Sequence, residues 1–229
     1  MFRRILTFCT LLLLAQSLLS AQSYRPKDTW PFLYREFTEG IVCNQAGDQI
    51  LDARLNISVT DQRLYFIRDE KMMVADLSRV FSAKIGEDVY VNAGGKFYKV
   101  LVENEGGAVA VLTQVDSDRM NKASIGYGVM SATASTQNVA ALTLDSNVGT
   151  NLNQALQSRD SGVEIPVLER LFIIYSYGRV VPALKREVMD IPGLNVDAAK
   201  EFFKKNKIKW SNPASLSAVA AFLTEQFNK

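Results

Sequence analysis

The chain has 229 residues, 48% of them hydrophobic, with 26 lysines and arginines against 24 acids, two cysteines and no histidine. Without an imidazole it cannot build a Ser-His-Asp or Cys-His nucleophile system, a metalloprotease helix with paired histidines or a typical zinc site. The near balance of charge supplies no global field to steer it to nucleic acid or an anionic membrane.

Met1, Phe2, Arg3 and Arg4 precede an apolar run from Ile5 to Leu14, and Ser20, Ala21, Gln22 and Ser23 form a small-residue exit. That is the layout of a secretory signal peptide, expected over residues 1–21, although cleavage after Ser23 fits equally. Even extended to Leu19 the run contains Thr7, Thr10, Gln16 and Ser17 and is short for roughly 30 Å of hydrocarbon, so no transmembrane anchor is expected to remain. Bulky Phe8 before Cys9 argues against a lipidated cysteine. Loss of the signal removes Arg3, Arg4 and Cys9 but no acid. The remainder is formally neutral and holds only Cys43, so it cannot close an intrachain disulfide even in an oxidising compartment. Cys43 follows Ile41 and Val42 and reads as a buried, inert thiol, the alternatives being an intermolecular disulfide or a reactive thiol.

Residues 22–115 read as a β-rich domain. It opens with an aromatic segment, Trp30, Phe32, Tyr34 and Phe37, stiffened by Pro26 and Pro31. From Gly40 onward, short β-like runs are separated by turn residues every eight to twelve positions, the spacing of an antiparallel meander in an open roll or sandwich. Leu51, Ala53, Leu55 and Ile57 alternate with Asp52, Arg54 and Asn56, which predicts a strand with one wet face. Further strands are expected at Arg63 to Ile67, Met72 to Ala75, Phe81 to Ile85, Val89 to Val91, Lys96 to Glu103 and Ala108 to Val115. The glycines in Ala46-Gly47-Asp48, Ala93-Gly94-Gly95 and Glu105-Gly106-Gly107 mark turns.

Residues 116–161 are rich in Ser, Thr, Asn, Ala and Gln and predict a polar linker or loose insertion, with a short strand conceivable at Asn138 to Leu144. Gly126-Tyr127-Gly128 within it is a very weak nucleotide motif. Residues 162–229 predict a small α+β tail: a hairpin of Leu168 to Ser176 with Val180 and Val181, then two to three helices. The first spans about Leu184 to Met189. The second spans Val196 to Lys205 with Asn195 as N-cap. The third begins at Pro213 after Asn212 and carries a stripe of Leu216, Val219, Ala220, Leu223 and Phe227.

Two groups of residues are candidate binding elements. Trp30, Phe32, Tyr34 and Phe37 form either an aromatic platform for a sugar or partner, or packing against the sheet. Lys200, Lys204, Lys205 and Lys207, with Lys209, form either a contact for an anionic partner or the solvated back of an amphipathic helix. Asp48, Asp52, Glu70, Asp76, Glu87, Asp88, Glu103 and Glu105 supply carboxylates, and paired carboxylates are enough for glycoside hydrolysis without histidine. Ser211 and Ser215 near Lys209 read as helix-start residues rather than as a Ser-Lys nucleophile system. Asn56-Ile57-Ser58 matches a glycosylation sequon. No cofactor or metal is expected.

Tyr34-Arg35-Glu36-Phe37 leading to Gly40, then Leu55-Asn56, Tyr65-Phe66-Ile67 and Phe97-Tyr98-Lys99-Val100, form a series along the chain. With the run from Phe203 to Lys209 before the last helix, this series resembles a loose group of uncharacterised exported proteins of Gram-negative bacteria. The resemblance implies a bacterial envelope setting and assigns no activity to any residue. The expectation is therefore an α+β protein, periplasmic or extracellular, that binds another envelope protein or a glycan without catalysis. The alternative is a histidine-free glycan hydrolase using paired carboxylates.

Overall fold

The structure, a computed structural model, describes residues 29–116, 166–176 and 178–228. The expected signal peptide, Gly126-Tyr127-Gly128 and the strand expected at Asn138 to Leu144 lie outside the described residues, as does nearly all of the expected linker.

The strands are β1 (Thr38–Cys43), β2 (Gln49–Ile57), β3 (Leu64–Arg68), β4 (Lys71–Val74), β5 (Ser82–Ile85), β6 (Asp88–Ala93), β7 (Lys96–Asn104), β8 (Gly107–Val115), β9 (Val167–Tyr175) and β10 (Arg179–Pro182). Among the described residues three helices follow, α1 (Lys185–Met189), α2 (Val196–Lys205) and α3 (Pro213–Phe227). The fold is the expected α+β class: one open antiparallel sheet of ten strands in the order β10-β9-β8-β7-β6-β5-β1-β2-β3-β4, followed by the helices. The chain runs outward through β1 to β4, crosses back so that β5 pairs with the other side of β1, and then meanders to β10. β8 pairs with β9 over their whole lengths, so the hairpin that opens the C-terminal part is continuous with the sheet before it.

The register aligns Leu51, Val42, Ala83, Tyr90, Lys99, Val111 and Leu171 in one row across the sheet. Directly opposed residues share a face, so this row defines the inner surface. Its β1–β7 half is covered by the N-terminal segment, giving a core of Trp30, Leu33, Leu55, Ile57, Leu64, Phe66, Ile85 and Phe97. The β8–β10 half is covered by the helices, giving a second core of Val109, Ile173, Val181, Val188, Phe203, Leu216, Val219 and Leu223.

The sheet curls strongly. Gln62, in the β2–β3 connection, donates through Nε2 to the carbonyl of Thr113 on β8 at 3.1 Å. In a flat sheet the five strand spacings from β2 to β8 would separate them by about 24 Å.

Local chemistry accounts for the helices. Asn195 Oδ1 accepts the amide of Ala198, and Asn212 Oδ1 accepts those of Ala214 and Ser215, satisfying donors that the first helical turn leaves open. α3 lies directly on the β7–β8 turn, where a Cβ added to Gly106 would stand 2.5 Å from the Cα of Ala221. Among the described residues no helix is long and apolar enough to cross a membrane.

Candidate functional site

Among the described residues β4 is the outer strand on one side of the sheet and pairs only with β3. The pairs Arg68/Lys71 and Phe66/Met73 continue into the bond from the Ala75 amide to the Leu64 carbonyl, 2.9 Å, which fixes the hydrogen-bonded positions of the ladder. Met72 and Val74 therefore turn their N–H and C=O groups away from β3, to the side where no described strand lies. Met72 and Met73 are 39% and 43% exposed, unusual for large apolar side chains on a sheet edge.

Beside this edge lies a cleft of about 180 Å³ lined by Val42, Leu51, Phe66, Val74, Ala75 and Val80, with Ile50, Arg68, Asp76 and Arg79 completing it. Val42, Phe66 and Val80 are buried, so the floor is apolar. The connection from β4 to β5 forms one wall, and two contacts from Asn92 hold it. Asn92 Nδ2 donates to the carbonyls of Leu77, 3.0 Å, and Val80, 2.7 Å.

The rim is charged. The Arg68 guanidinium stands 5.4 Å from the centroid of the Phe66 ring. Neither Arg68 nor Arg79 forms an ion pair with a described residue, and both are exposed. Among the described residues Asp76 is the one carboxylate lining the cleft. Its Oδ1 accepts the Ser78 hydroxyl at 2.7 Å and the Ser78 amide at 3.1 Å. The hydroxyl bond first, then the amide, lowers the Asp76 carboxyl below its usual range, with Arg79 nearby acting in the same sense.

A second polar group sits on the inner face where the two cores meet. Asp88 Oδ2 accepts the Tyr34 hydroxyl at 2.6 Å, Asp88 Oδ1 pairs with Lys99 Nζ at 2.7 Å, and the Tyr34 and Tyr90 hydroxyls are 2.7 Å apart. Tyr34 has one hydroxyl proton and gives it to Asp88, so Tyr90 is the donor between the two rings. Burial, followed by the Tyr90 and Asp88 contacts, raises the Tyr34 hydroxyl far above its ordinary value, and burial raises Tyr90 as well.

Of the sequence-predicted aromatic residues, Trp30 and Tyr34 join the inner-face core, whereas Phe32 and Phe37 pack in a separate cluster with Tyr65 and Val74. Trp30 is fully buried, Phe32 and Tyr34 are buried, and Phe37 is half-buried. Phe32 packs edge-on against Phe37 and Tyr65 at 5.2 and 5.4 Å. Lys200, Lys204, Lys205 and Lys207 are exposed on α2 and its exit, with Lys200 paired to Asp197 at 3.3 Å. On the same helix Val196 is 39% exposed, whereas Ala199 and Phe203 are buried. Cys43 is half-buried and is a free thiol.

The acids are dispersed: Asp48 binds Asn44 in the β1–β2 turn, Asp76 binds Ser78, Asp88 holds Tyr34 and Lys99, and Glu70, Glu87 and Glu105 occupy separate turns. The sequon residue Asn56 is 1% exposed, with its amide engaged by Tyr34. Among the described residues no group of three or more acids and cysteines could hold a metal ion. Arg68, Arg79, Phe66 and Val80 were not legible as one site, because they come together only through the β4–β5 crossing. The run Asp76-Leu77-Ser78-Arg79-Val80 between two strands contains only Arg79 and Val80 of these four, Phe66 and Arg68 lying in β3.

Comparison of the chain with protein-family models, with curated proteins and with solved structures gives no match.

Proposed function

We propose that this chain is an exported, non-enzymatic protein of the bacterial envelope that acts by binding another envelope component through the β4 end of its sheet. The observation that carries the reading is the combination at one sheet end of a strand paired on one side only and an apolar-floored cleft rimmed by two guanidiniums that form no ion pair with a described residue. Concave apolar surface with a few oriented polar groups is the usual form of a binding site. A glycan hydrolase needs two carboxylates facing one cleft. Among the described residues this cleft carries one, bonded to Ser78. The signal-peptide layout and the resemblance to exported proteins of Gram-negative bacteria support the setting.

The test is crosslinking and affinity capture of the tagged chain from a Gram-negative envelope, followed by mass spectrometry. One envelope component is expected to be recovered reproducibly. Its recovery should fall about tenfold with Met73→Glu, which changes an exposed side chain. Recovery of the chain alone, or turnover of a glycan that Asp76→Asn abolishes, overturns the reading.

A further inference from the structure

From the cleft and the strand beside it we infer that the bound component presents a polypeptide carboxyl terminus, with a terminal aliphatic residue in the cleft and its α-carboxylate held by Arg68 and Arg79. This rests on the binding reading above.

Size excludes most alternatives. A cleft of about 180 Å³ is well below the roughly 300–1,000 Å³ of sites that enclose a whole small molecule. It holds on the order of six waters' worth of volume, enough for one aliphatic side chain and too little for a long acyl chain. The floor of Val42, Leu51, Phe66 and Val80 offers such a side chain no hydrogen-bonding partner and suits a purely apolar group.

Charge selects what is attached to that group. Two guanidiniums against one carboxylate, Asp76, leave the described rim of this small apolar floor with a net positive charge. Arginine presents a planar fork of donors that matches a carboxylate. An α-carboxylate is the anion that lies closest to its own side chain, which fits a cleft whose apolar and basic parts adjoin.

The edge strand supplies the approach. Val74 lines the cleft and also turns its backbone groups outward, as does Met72. An extended segment can pair with those groups as an added strand while its last residue enters the cleft, so that main-chain bonds give affinity and the cleft gives specificity.

The experiment is amide-shift titration of the full-length ¹⁵N-labelled chain with N-acetyl-alanyl-leucine, its C-terminal amide, N-acetyl-glutamyl-leucinamide and hexanoate. The free-acid peptide should saturably shift Val74, Ala75, Asp76 and Val80 and bind at least tenfold tighter than its amide. Arg68→Gln and Arg79→Gln, both at exposed positions, should each weaken the acid several-fold and leave the amide unchanged. Equal binding of acid and amide, or shifts confined to other residues, overturns the proposal. Tighter binding by hexanoate or by the internal-glutamate peptide does the same, reassigning the cleft to a fatty acid or an internal acidic segment. Envelope capture separates the two readings. If a partner is captured equally by wild type and the double arginine variant, this inference fails while the binding function stands. If no partner is captured, the function fails whatever the titration shows.

Discussion

The Tyr34 hydroxyl donates to Asp88 Oδ2 at 2.6 Å across 54 positions of sequence. It ties the segment that covers the inner face to the start of β6, and Asp88 is held in turn by Lys99 from β7 at 2.7 Å. Lys99 is the charged member of the row that crosses the sheet, and Asp88 is its ion-pair partner there.

Tyr34→Phe keeps the ring and removes this bond. Loss of a hydrogen bond to a charged acceptor, with the Tyr90 hydroxyl also losing its acceptor, should lower stability by about 2 kcal/mol. Urea unfolding measures it; an unchanged midpoint would show that the hydroxyl contributes nothing net.

Alkaline pH tests the same core from another direction. Burial is the first cause that raises the hydroxyls of Tyr34, Tyr65 and Tyr90 above the ordinary tyrosine value. A folded-state value above the unfolded one means the native chain keeps protons that the unfolded chain releases. The stability contribution is complete below about pH 10 and is lost above it, at up to about 1.4 kcal/mol per pH unit per tyrosine. The urea midpoint should be flat with respect to these groups below that pH and fall steeply above it. Phenolate absorbance of the three rings should appear only with unfolding, and early titration in the folded chain would contradict their burial.

Asn56→Ala removes a clamp. Asn56 Oδ1 accepts the Tyr34 amide at 3.1 Å and the Ile57 amide at 2.9 Å, while Nδ2 donates to the Tyr34 carbonyl at 2.8 Å. The Tyr34 groups would be left buried without these partners, at a cost of about 3 kcal/mol. Amide hydrogen exchange at Leu33 and Tyr34 should quicken more than exchange in α3. A uniform change across the chain would refute a local clamp.

Gly106→Ala probes the contact between α3 and the β7–β8 turn. Its new Cβ would meet the Ala221 backbone at 2.5 Å, and Ala221 sits in a helix that cannot yield without moving. Overpacking of this kind costs about 1–3 kcal/mol. Thermal unfolding should register the loss, and Ala221→Gly should recover part of it, which a simple turn defect would not allow.

Much of the local structure was legible. Caps at Asn195 and Asn212, Pro213 at the first helical position and the stripe from Leu216 to Phe227 defined α2 and α3 because capping and period depend on near neighbours. Alternation located most strands within a residue or two. It failed at Asn56, whose position in the pattern is that of Asp52 and Arg54 but whose side chain is buried under residues 34–36. The covering segment is distant in sequence, and a two-residue period carries no information about it.

Sequence alone determined the absence of histidine chemistry, the single cysteine left once the expected signal is removed, the β-then-helix order and the helix boundaries, all properties of composition or of contacts a few residues long. Only the tertiary structure decided that β5 returns to β1, that β9 extends the same sheet, and that β4 is left as its edge. It also brought Arg68 and Arg79 to one apolar cleft. Strand pairing and side-chain convergence depend on which distant segments meet, and that is settled by burying apolar clusters on both faces of a curled sheet rather than by any local preference.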